Sequence, residues 1–141
     1  MEYLSVFNPD QYSIKEFEHW VVMVRYKHLT LGSCVIAPKR FVPAMSDLST
    51  DEGAEFPIVA KWFEDTTRKL YGAEKFNYLA LMMKDHFVHY HAFPRYSKAI
   101  TRHGVEFQDT SWPIAIDLTA FGDYEDAIIQ AIRKEMSEVS I

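Results

Sequence analysis

Two short runs of mostly apolar positions in the first third of the chain predict two strands that pair as a hairpin. Residues 19–26 (HWVVMVRY) are rich in β-branched and aromatic side chains, which suit a pleated surface. Residues 30–32 break this pattern, and residues 33–37 (SCVIA) predict a second strand that ends at Pro38. Ahead of both strands, residues 13–18 are predicted to form a short helix.

The middle of the chain carries the signature of a long helix over residues 50–71. Ser49 and Glu52 stand three residues apart just before an apolar pattern, which is the spacing of a capping box. Gly72 stands where a left-handed C-terminal cap is expected. Pro57 lies inside the span, so we expect a kink or a tightened first turn, because proline cannot donate to the helical ladder. The positions that recur at helical spacing are Phe56, Val59, Phe63, Thr66 and Leu70.

The second half of the chain predicts further strands and a terminal helix. Residues 76–83 (FNYLALMM) and 87–93 (FVHYHAF) are predicted strands separated only by residues 84–86, so we expect them to be neighbours. Residues 112–118 form a weaker strand candidate, and residues 123–136 predict an amphipathic helix. Short connections favour antiparallel pairing. We therefore expect an α+β fold, in which a long helix packs on an antiparallel sheet and a C-terminal helix follows.

Length and composition favour one domain, over residues 1–141, that binds small molecules or a second subunit. A chain of 141 residues can bury a sizeable core, and its net charge of −5 argues against a broad electrostatic grip on nucleic acid. Cys34 is the single cysteine, so neither an internal disulfide nor a two-cysteine zinc site can form. No apolar run of about 18 residues could span a bilayer. The first residues lack a signal-peptide pattern, so we expect a cytoplasmic protein.

Three of the six histidines fall within HFVHYH, residues 86–91. Side chains two apart share a face of a strand, so His89 and His91 stand side by side with Cα atoms about 6.6 Å apart. Near pH 7, imidazole can be a neutral nucleophile, a proton carrier or a metal ligand. Simple packing or hydrogen bonding of both rings is one alternative. A metal site is another, but His86 has the wrong parity to join the pair and no third ligand lies nearby in the sequence.

The stretch VHYHAFPRY, together with LGSCVIAPKRFVPAMSDLS upstream, resembles the histidine-triad family of nucleotide hydrolases and transferases. The signature of that family alternates three histidines with apolar residues and is often followed by Pro-Arg. When the two are aligned on the Pro-Arg pair, His89 takes the place of the central histidine and His91 that of the third. Phe87 takes the place of the first. The resemblance covers residues 30–97 and points to the branch similar to diadenosine polyphosphate hydrolases.

The resemblance implies an α+β histidine-triad domain, usually a homodimer, that hydrolyses or transfers nucleotides. His89 would attack the α-phosphorus of a dinucleoside polyphosphate or nucleoside phosphoramidate and form a nucleotidyl-histidine. His91 would donate a hydrogen bond to the phosphate oxygens. No cofactor is firmly implied, although a divalent cation could accompany the substrate phosphates; no protein ligand to a metal is assigned, and neither nucleic acid nor a membrane is an expected partner. The side chains assigned to substrate binding are Asn77, Lys84, Phe87 and Ser33.

Three departures from the family pattern bear on turnover. Phe87 removes the first histidine, but the resemblance implies that the main-chain carbonyl there orients the nucleophile, and any residue supplies it. Ser33 stands where many members carry Gly-His, and Phe41 where a histidine often follows Pro-Lys-Arg. The glycine- and glutamine-rich phosphate loop common between the last two strands is predicted to be absent, since only residues 84–86 join them, and His86 is a weak substitute for the missing histidine. A non-catalytic nucleotide-binding module and a histidine metal-binding protein are the alternatives.

Five other side chains allow both a structural and a functional interpretation. Lys39 and Arg40 could meet phosphate, although a basic pair after a strand is more often a solvated turn. Phe17 and Trp20 could sandwich a base, but core packing is the favoured interpretation. Cys34 has apolar neighbours, so it is expected to be a small buried side chain and not a reactive thiol.

Overall fold

Five antiparallel strands form the main sheet of the structure, a computed structural model that describes residues 2–141. The strands are β1 (Ser13–Glu16), β2 (Trp20–Val24), β3 (Cys34–Pro38), β4 (Lys75–Leu79) and β5 (Tyr90–Arg95). Their order across the sheet is β1-β2-β3-β5-β4. The strand that carries His91 therefore lies between β3 and the edge strand β4.

Within residues 2–141, helical segments lie on both faces of the sheet. They are α1 (Pro9–Tyr12), α2 (Thr50–Tyr71) and α3 (Asp126–Glu138), with 3₁₀ helices at Glu2–Phe7 and Met45–Asp47. Phe56 of α2 packs between Trp20 of β2 and Tyr90 of β5, with ring centroids 5.0 and 4.6 Å away. This α+β architecture confirms the predicted fold class.

The hairpin of β2 and β3 is confirmed, with paired residues running from Trp20–Pro38 to Val24–Cys34. Both strands are buried along their whole length, which explains their continuous apolar composition. The turn is held by His28, whose Nε2 accepts from the Gly32 N–H at 3.0 Å. Gly32 has φ 87°, and a Cβ there would lie 3.2 Å from a methyl group of Thr67. Glycine is therefore required in this turn.

The predicted helix at residues 13–18 is wrong, because this segment forms β1 at the edge of the sheet. Ser13 pairs with Met23 and Glu16 with Val21 in antiparallel register. Pairing with the free edge of β2 satisfies the main-chain groups of the segment, so a tertiary contact overrides its weak local helical preference.

Helix α2 has the bounds that its sequence predicts. The Ser49 hydroxyl accepts from the Glu52 N–H at 3.1 Å, and the Glu52 carboxylate accepts from the Ser49 N–H at 2.8 Å. Gly72 has φ 73° and closes the C-terminus. The helix is continuous across Pro57, so the predicted kink does not interrupt it. Its buried side chains, including Val59 and Phe63, face the sheet.

Strands β4 and β5 are neighbours as predicted, but both are shorter than the sequence indicates. The register runs from Lys75–Arg95 to Leu79–His91, and residues 80–89 form a ten-residue loop in place of the predicted connection at 84–86. Met82 adopts φ 50°, and the Val88 N–H donates to the Val42 carbonyl at 2.7 Å. The left-handed residue and the hydrogen bond to Val42 keep the loop from continuing the β4–β5 pairing. The loop has the apolar composition of a strand, which is why a connection of only residues 84–86 was predicted. The predicted absence of a long loop between these two strands is therefore wrong.

The C-terminal part differs most from the sequence-based expectation. The predicted strand at 112–118 is wrong, because the segment forms turns tied to the sheet by Arg95, which donates to the Ile114 carbonyl at 2.9 Å. A hairpin of β6 (Ile100–Arg102) and β7 (Val105–Phe107) was not predicted. Its turn residues His103 and Gly104 both have positive φ, as a tight hairpin turn demands. Helix α3 begins at Asp126, three residues later than predicted, and packs against β1 and β2.

Candidate functional site

Four rings form a row on the face of β5 opposite α2. The centroid of the Phe87 ring lies 5.1 Å from that of His89, His89 lies 5.0 Å from His91, and His91 lies 6.4 Å from Phe93. Tyr90 points to the other face, where it packs on α2. The predicted alternation is confirmed, although the first two rings of the row precede the strand itself.

The main chain fixes the orientation of His89. Its Nδ1 lies 2.8 Å from the carbonyl oxygen of Phe87. A carbonyl can only accept, so a neutral His89 carries its proton on Nδ1 and keeps a lone pair on Nε2. This is the main-chain contact that the resemblance implies for the nucleophile, and a phenylalanine supplies it as well as a histidine would.

Arg25 fixes His91 in the opposite tautomer. Its Nη1 lies 2.7 Å from Nδ1 of His91. A guanidinium can only donate, so neutral His91 must accept at Nδ1 and carry its proton on Nε2. Burial, then the Arg25 charge and then His89 lower the pKa of His91 to about 3. With both rings neutral, the pair therefore combines a lone pair on Nε2 of His89 with an N–H donor on Nε2 of His91.

Arg25 was not singled out from the sequence. It follows the last residue of β2, and its guanidinium carbon lies 5.3 Å from the centroid of the Phe93 ring. Burial lowers its pKa to about 10. Within residues 2–141, no carboxylate lies within 4 Å of its guanidinium nitrogens. The available signal was a single cation at the end of an otherwise apolar strand.

A pocket of about 510 Å³ opens beside His91. Three cations line it, Arg25, Lys27 and Lys84, against one carboxylate, Asp85. The remaining lining is largely aromatic and aliphatic: Val6, Phe7, Tyr12, Tyr26 and Val35, with the polar Asn8. The excess of positive charge suits a phosphate chain, and the rings suit an apolar or heteroaromatic group. A separate cavity of about 570 Å³ lined by acidic side chains lacks these features.

The N-terminal segment closes over the histidine row. We call residues 2–12 the N-terminal cover. Its Phe7 ring lies 5.3 Å from His89, and Tyr3 lies 5.1 Å from Phe87 and donates to the Pro38 carbonyl. His89 is consequently only 2% exposed. A phosphorus atom can reach Nε2 of this histidine only if part of the cover moves.

The structure brings only some of the predicted substrate-binding residues to the pair. Lys84 lines the pocket, and Phe87 contributes its carbonyl while its ring is buried. Asn77 shares the histidine face, but its amide oxygen accepts from Arg95 at 2.6 Å. Ser33 is fully buried, and its hydroxyl donates to the Thr30 carbonyl within the hairpin turn. These contacts give Asn77 and Ser33 structural partners, and their contact with substrate stays a prediction.

Several other candidates have structural partners as well. His86 is exposed, with its ring 6.1 Å from that of Phe41. Lys39 pairs with Glu16 at 3.4 Å, and Arg40 pairs with the capping Glu52 at 2.6 Å. The basic pair is therefore engaged with carboxylates and is not directed at the pocket.

The aromatic and thiol candidates belong to the core. Trp20 is fully buried, and its indole N–H donates to the Glu52 carbonyl at 2.9 Å. Phe17 packs on Trp62, and their ring centroids lie 6.1 Å apart. Cys34 is fully buried, and burial raises the pKa of its thiol. These positions support the packing interpretation.

Within residues 2–141, no group of three His, Cys, Asp or Glu side chains is arranged to hold a metal ion. None of the helices in the same range has both the length and the apolar character needed to cross a membrane.

Comparison with known proteins places the fold among histidine-triad structures. No family model and no curated protein sequence matches the chain. A hypothetical histidine triad nucleotide-binding protein from Sulfolobus tokodaii aligns with a TM-score of 0.74 at 16% identity, over 98% of this chain and 90% of that one. A histidine triad protein from Sinorhizobium meliloti aligns with a TM-score of 0.67 at 19% identity, over 98% and 93%.

A third solved structure is much longer than this chain. The C. elegans NitFhit protein aligns with a TM-score of 0.62 at 21% identity, over 89% of this chain but only 27% of that protein. At these identities the comparisons establish a shared fold.

Proposed function

We propose that the chain is a nucleotide hydrolase or nucleotidyl transferase of the histidine-triad type, with His89 as the nucleophile. The observation that carries the proposal is the pair of contacts at Nδ1, which set opposite tautomers on the two neutral rings. The Phe87 carbonyl leaves a lone pair on Nε2 of His89, and Arg25 leaves an N–H on Nε2 of His91. One ring can attack an electrophile while its neighbour donates to the charge that develops beside it.

The reaction then proceeds in two displacements at one phosphorus atom. Nε2 of His89 attacks the α-phosphorus, and the bond from phosphorus to the leaving oxygen breaks, so the leaving phosphate departs with the electron pair. The Phe87 carbonyl, already bonded to Nδ1–H, stabilises the positive charge on the substituted ring. Water next attacks the phosphorus and loses a proton to solvent, and the phosphorus–nitrogen bond breaks. Nucleoside monophosphate leaves and free His89 is restored.

The absence of the first histidine side chain favours a dinucleoside polyphosphate over a phosphoramidate. A phosphate leaving group departs as an anion, whereas an amine needs a proton as it leaves, and Phe87 cannot give one. Lys27 and Lys84 at the pocket would hold the anionic chain. The proposed chemistry assigns no side chain as a ligand to a divalent ion. Such an ion would therefore be held by the substrate phosphates and would enter with them.

The test is intact-protein mass spectrometry after brief incubation with diadenosine tetraphosphate, with products separated by chromatography. Wild type should form an acid-labile adenylyl adduct and release product, and His89→Ala should do neither. His86→Ala changes an exposed histidine outside the row and should behave as wild type. Product formation by His89→Ala at the wild-type rate would refute the assignment.

Burial of His89 supports a second candidate, a nucleotide-binding module without efficient turnover. The nucleophile is 2% exposed beneath Phe7, so a docked cover would allow binding in the pocket without attack. This function predicts saturable, reversible nucleotide binding with no adduct in the same experiment. A stable adduct would exclude it.

We also propose a homodimer formed through the edge strand β4. One edge of β4 pairs with β5, and its other edge carries main-chain groups that a second copy could pair with. Light scattering should give twice the chain mass of 16.5 kDa. A monomeric mass at micromolar concentration would contradict this assembly.

A further inference from the structure

We infer that Arg25 is a positioning residue that holds His91 as the Nε2–H tautomer, so that the ring can only donate to a phosphate oxygen. The inference rests on the proposed function for its catalytic consequence, although the tautomer itself can be observed without turnover. Arg25 would act through His91 and need not touch the substrate phosphorus.

The geometry leaves the imidazole little freedom. Arg25 donates from Nη1 to Nδ1 of His91 at 2.7 Å, and its Nε donates to the Lys27 carbonyl at 3.1 Å. Phe93 lies beneath both groups, 5.3 Å from the guanidinium carbon and nearly parallel to the His91 ring. The guanidinium is itself held by the hydrogen bond from Nε to Lys27 and by its contact with the Phe93 ring. It therefore holds the His91 ring in one orientation.

The chemical identity of the partner decides the tautomer. A carboxylate or carbonyl at this place would accept from Nδ1 and leave Nε2 as a second lone pair, which would repel a phosphate oxygen. Arginine has no acceptor, so it reverses this outcome.

Within the described residues 2–141, no carboxylate pairs with Arg25, which sets it apart from three other arginines. Arg40, Arg95 and Arg102 each pair with an acid at 2.7 Å or less. The positive charge of Arg25 faces the imidazole and the pocket instead, and it opposes protonation of His91 to the cation. A purely structural arginine would gain from a carboxylate at this depth, so the arrangement of Arg25 is better explained by its effect on the ring.

The tautomer can be measured directly by long-range ¹H–¹⁵N correlation spectra of protein labelled with ¹⁵N-histidine at pH 7. His91→Gln assigns the His91 signals among those of the six histidines. Wild type should show a protonated Nε2 and an unprotonated Nδ1. Arg25→Met keeps the length of the side chain over Phe93 but removes the donor, so the ring should change to a mixture of tautomers.

Steady-state kinetics with diadenosine tetraphosphate test the consequence for catalysis. Arg25→Met should lower kcat by about 10- to 100-fold, with a smaller change in KM, because a partner that only orients a functional histidine acts chiefly on the chemical step. Arg25→Lys retains a side chain that can only donate, so it should keep the wild-type tautomer and recover part of kcat. Arg133→Met is the matched control, since Arg133 donates to the Ser13 carbonyl away from the row.

The outcomes separate this inference from the proposed function. A wild-type His91 protonated on Nδ1, or an Arg25→Met variant with unchanged tautomer or unchanged kcat, would overturn the positioning role while leaving an active enzyme. If wild type forms neither adduct nor product, the proposed function fails, and the spectra alone decide whether Arg25 sets the tautomer. Circular dichroism verifies folding. If Arg25→Met does not fold, Arg25→Gln provides the test, because its amide can donate or accept and should likewise give a mixture of tautomers and a lower kcat.

Discussion

Removing Arg95 should destabilise the protein by several kcal/mol, because it would leave a buried carboxylate without its cation. Arg95 Nε lies 2.7 Å from Oδ2 of Asp109, and Nη2 lies 3.1 Å from Oδ1. Both side chains are almost fully buried. The same guanidinium donates to Asn77 at 2.6 Å and to the Ile114 carbonyl, so it joins the edge of the sheet to the segment at 109–117.

The magnitude follows from what Asp109 retains in Arg95→Met. Breaking a buried pair by removing one partner costs about 3–5 kcal/mol. Asp109 would still accept from the N–H groups of Tyr96 at 3.2 Å and Ser111 at 3.3 Å, so we expect the lower end of that range. An unfolding entropy of about 2.1 cal/mol/K per residue amounts to about 0.3 kcal/mol/K for this chain. A loss of about 3 kcal/mol therefore lowers Tm by about 10 °C.

Urea and thermal unfolding followed by circular dichroism measure this loss. The double variant Arg95→Met/Asp109→Asn removes both charges and should be more stable than Arg95→Met alone, because no uncompensated carboxylate is left buried. If Arg95→Met costs less than about 1 kcal/mol, or the double variant is the less stable of the two, the reasoning from a buried charge is refuted.

Three further predictions test the turn, the pH dependence and the N-terminal cover. Gly32→Ala should lower the free energy of unfolding by more than about 1 kcal/mol, since φ is 87° and the new methyl group meets Thr67. The control Gly53→Ala, within α2, should be neutral or stabilising. Equal urea midpoints for the two variants would contradict this. Burial holds the pKa of His28 at about 4, below its unfolded value of about 6.5, so the unfolded state binds more protons between these values. The free energy of unfolding should thus fall by up to about 3 kcal/mol on acidification from pH 6.5 to 4, and a flat profile of wild type relative to His28→Gln would rule out this contribution. Phe7→Ala should speed the modification of His89 by diethyl pyrocarbonate severalfold, as read by peptide mass spectrometry, and an unchanged rate would mean that the cover does not limit access to that ring.

The bounds of helix α2 could be predicted because their signals are local. The capping pair at its start and Gly72 at its end act within a few residues of each other, and no distant partner is needed to interpret them. The histidine row could be predicted for a similar reason, since alternation along an extended segment needs no tertiary information.

The elements that the sequence did not predict depend on distant partners. Strand β1 exists because β2 offers it an edge, and the segment at 112–118 is held as turns in part by Arg95. Arg25 meets His91 across 66 residues of chain, and no local pattern links them. The contacts that complete the candidate site are therefore long-range, and only the folded chain reveals them.

The N-terminal cover also has a consequence for the order in which the chain becomes structured. Phe7 leaves the ribosome before the histidine that it contacts, which is made 82 residues later. The cover has no surface to dock on until that segment has been synthesised and folded against β3. We expect a nascent chain to hold its first residues unattached while the sheet assembles, and to conceal His89 as one of its late steps.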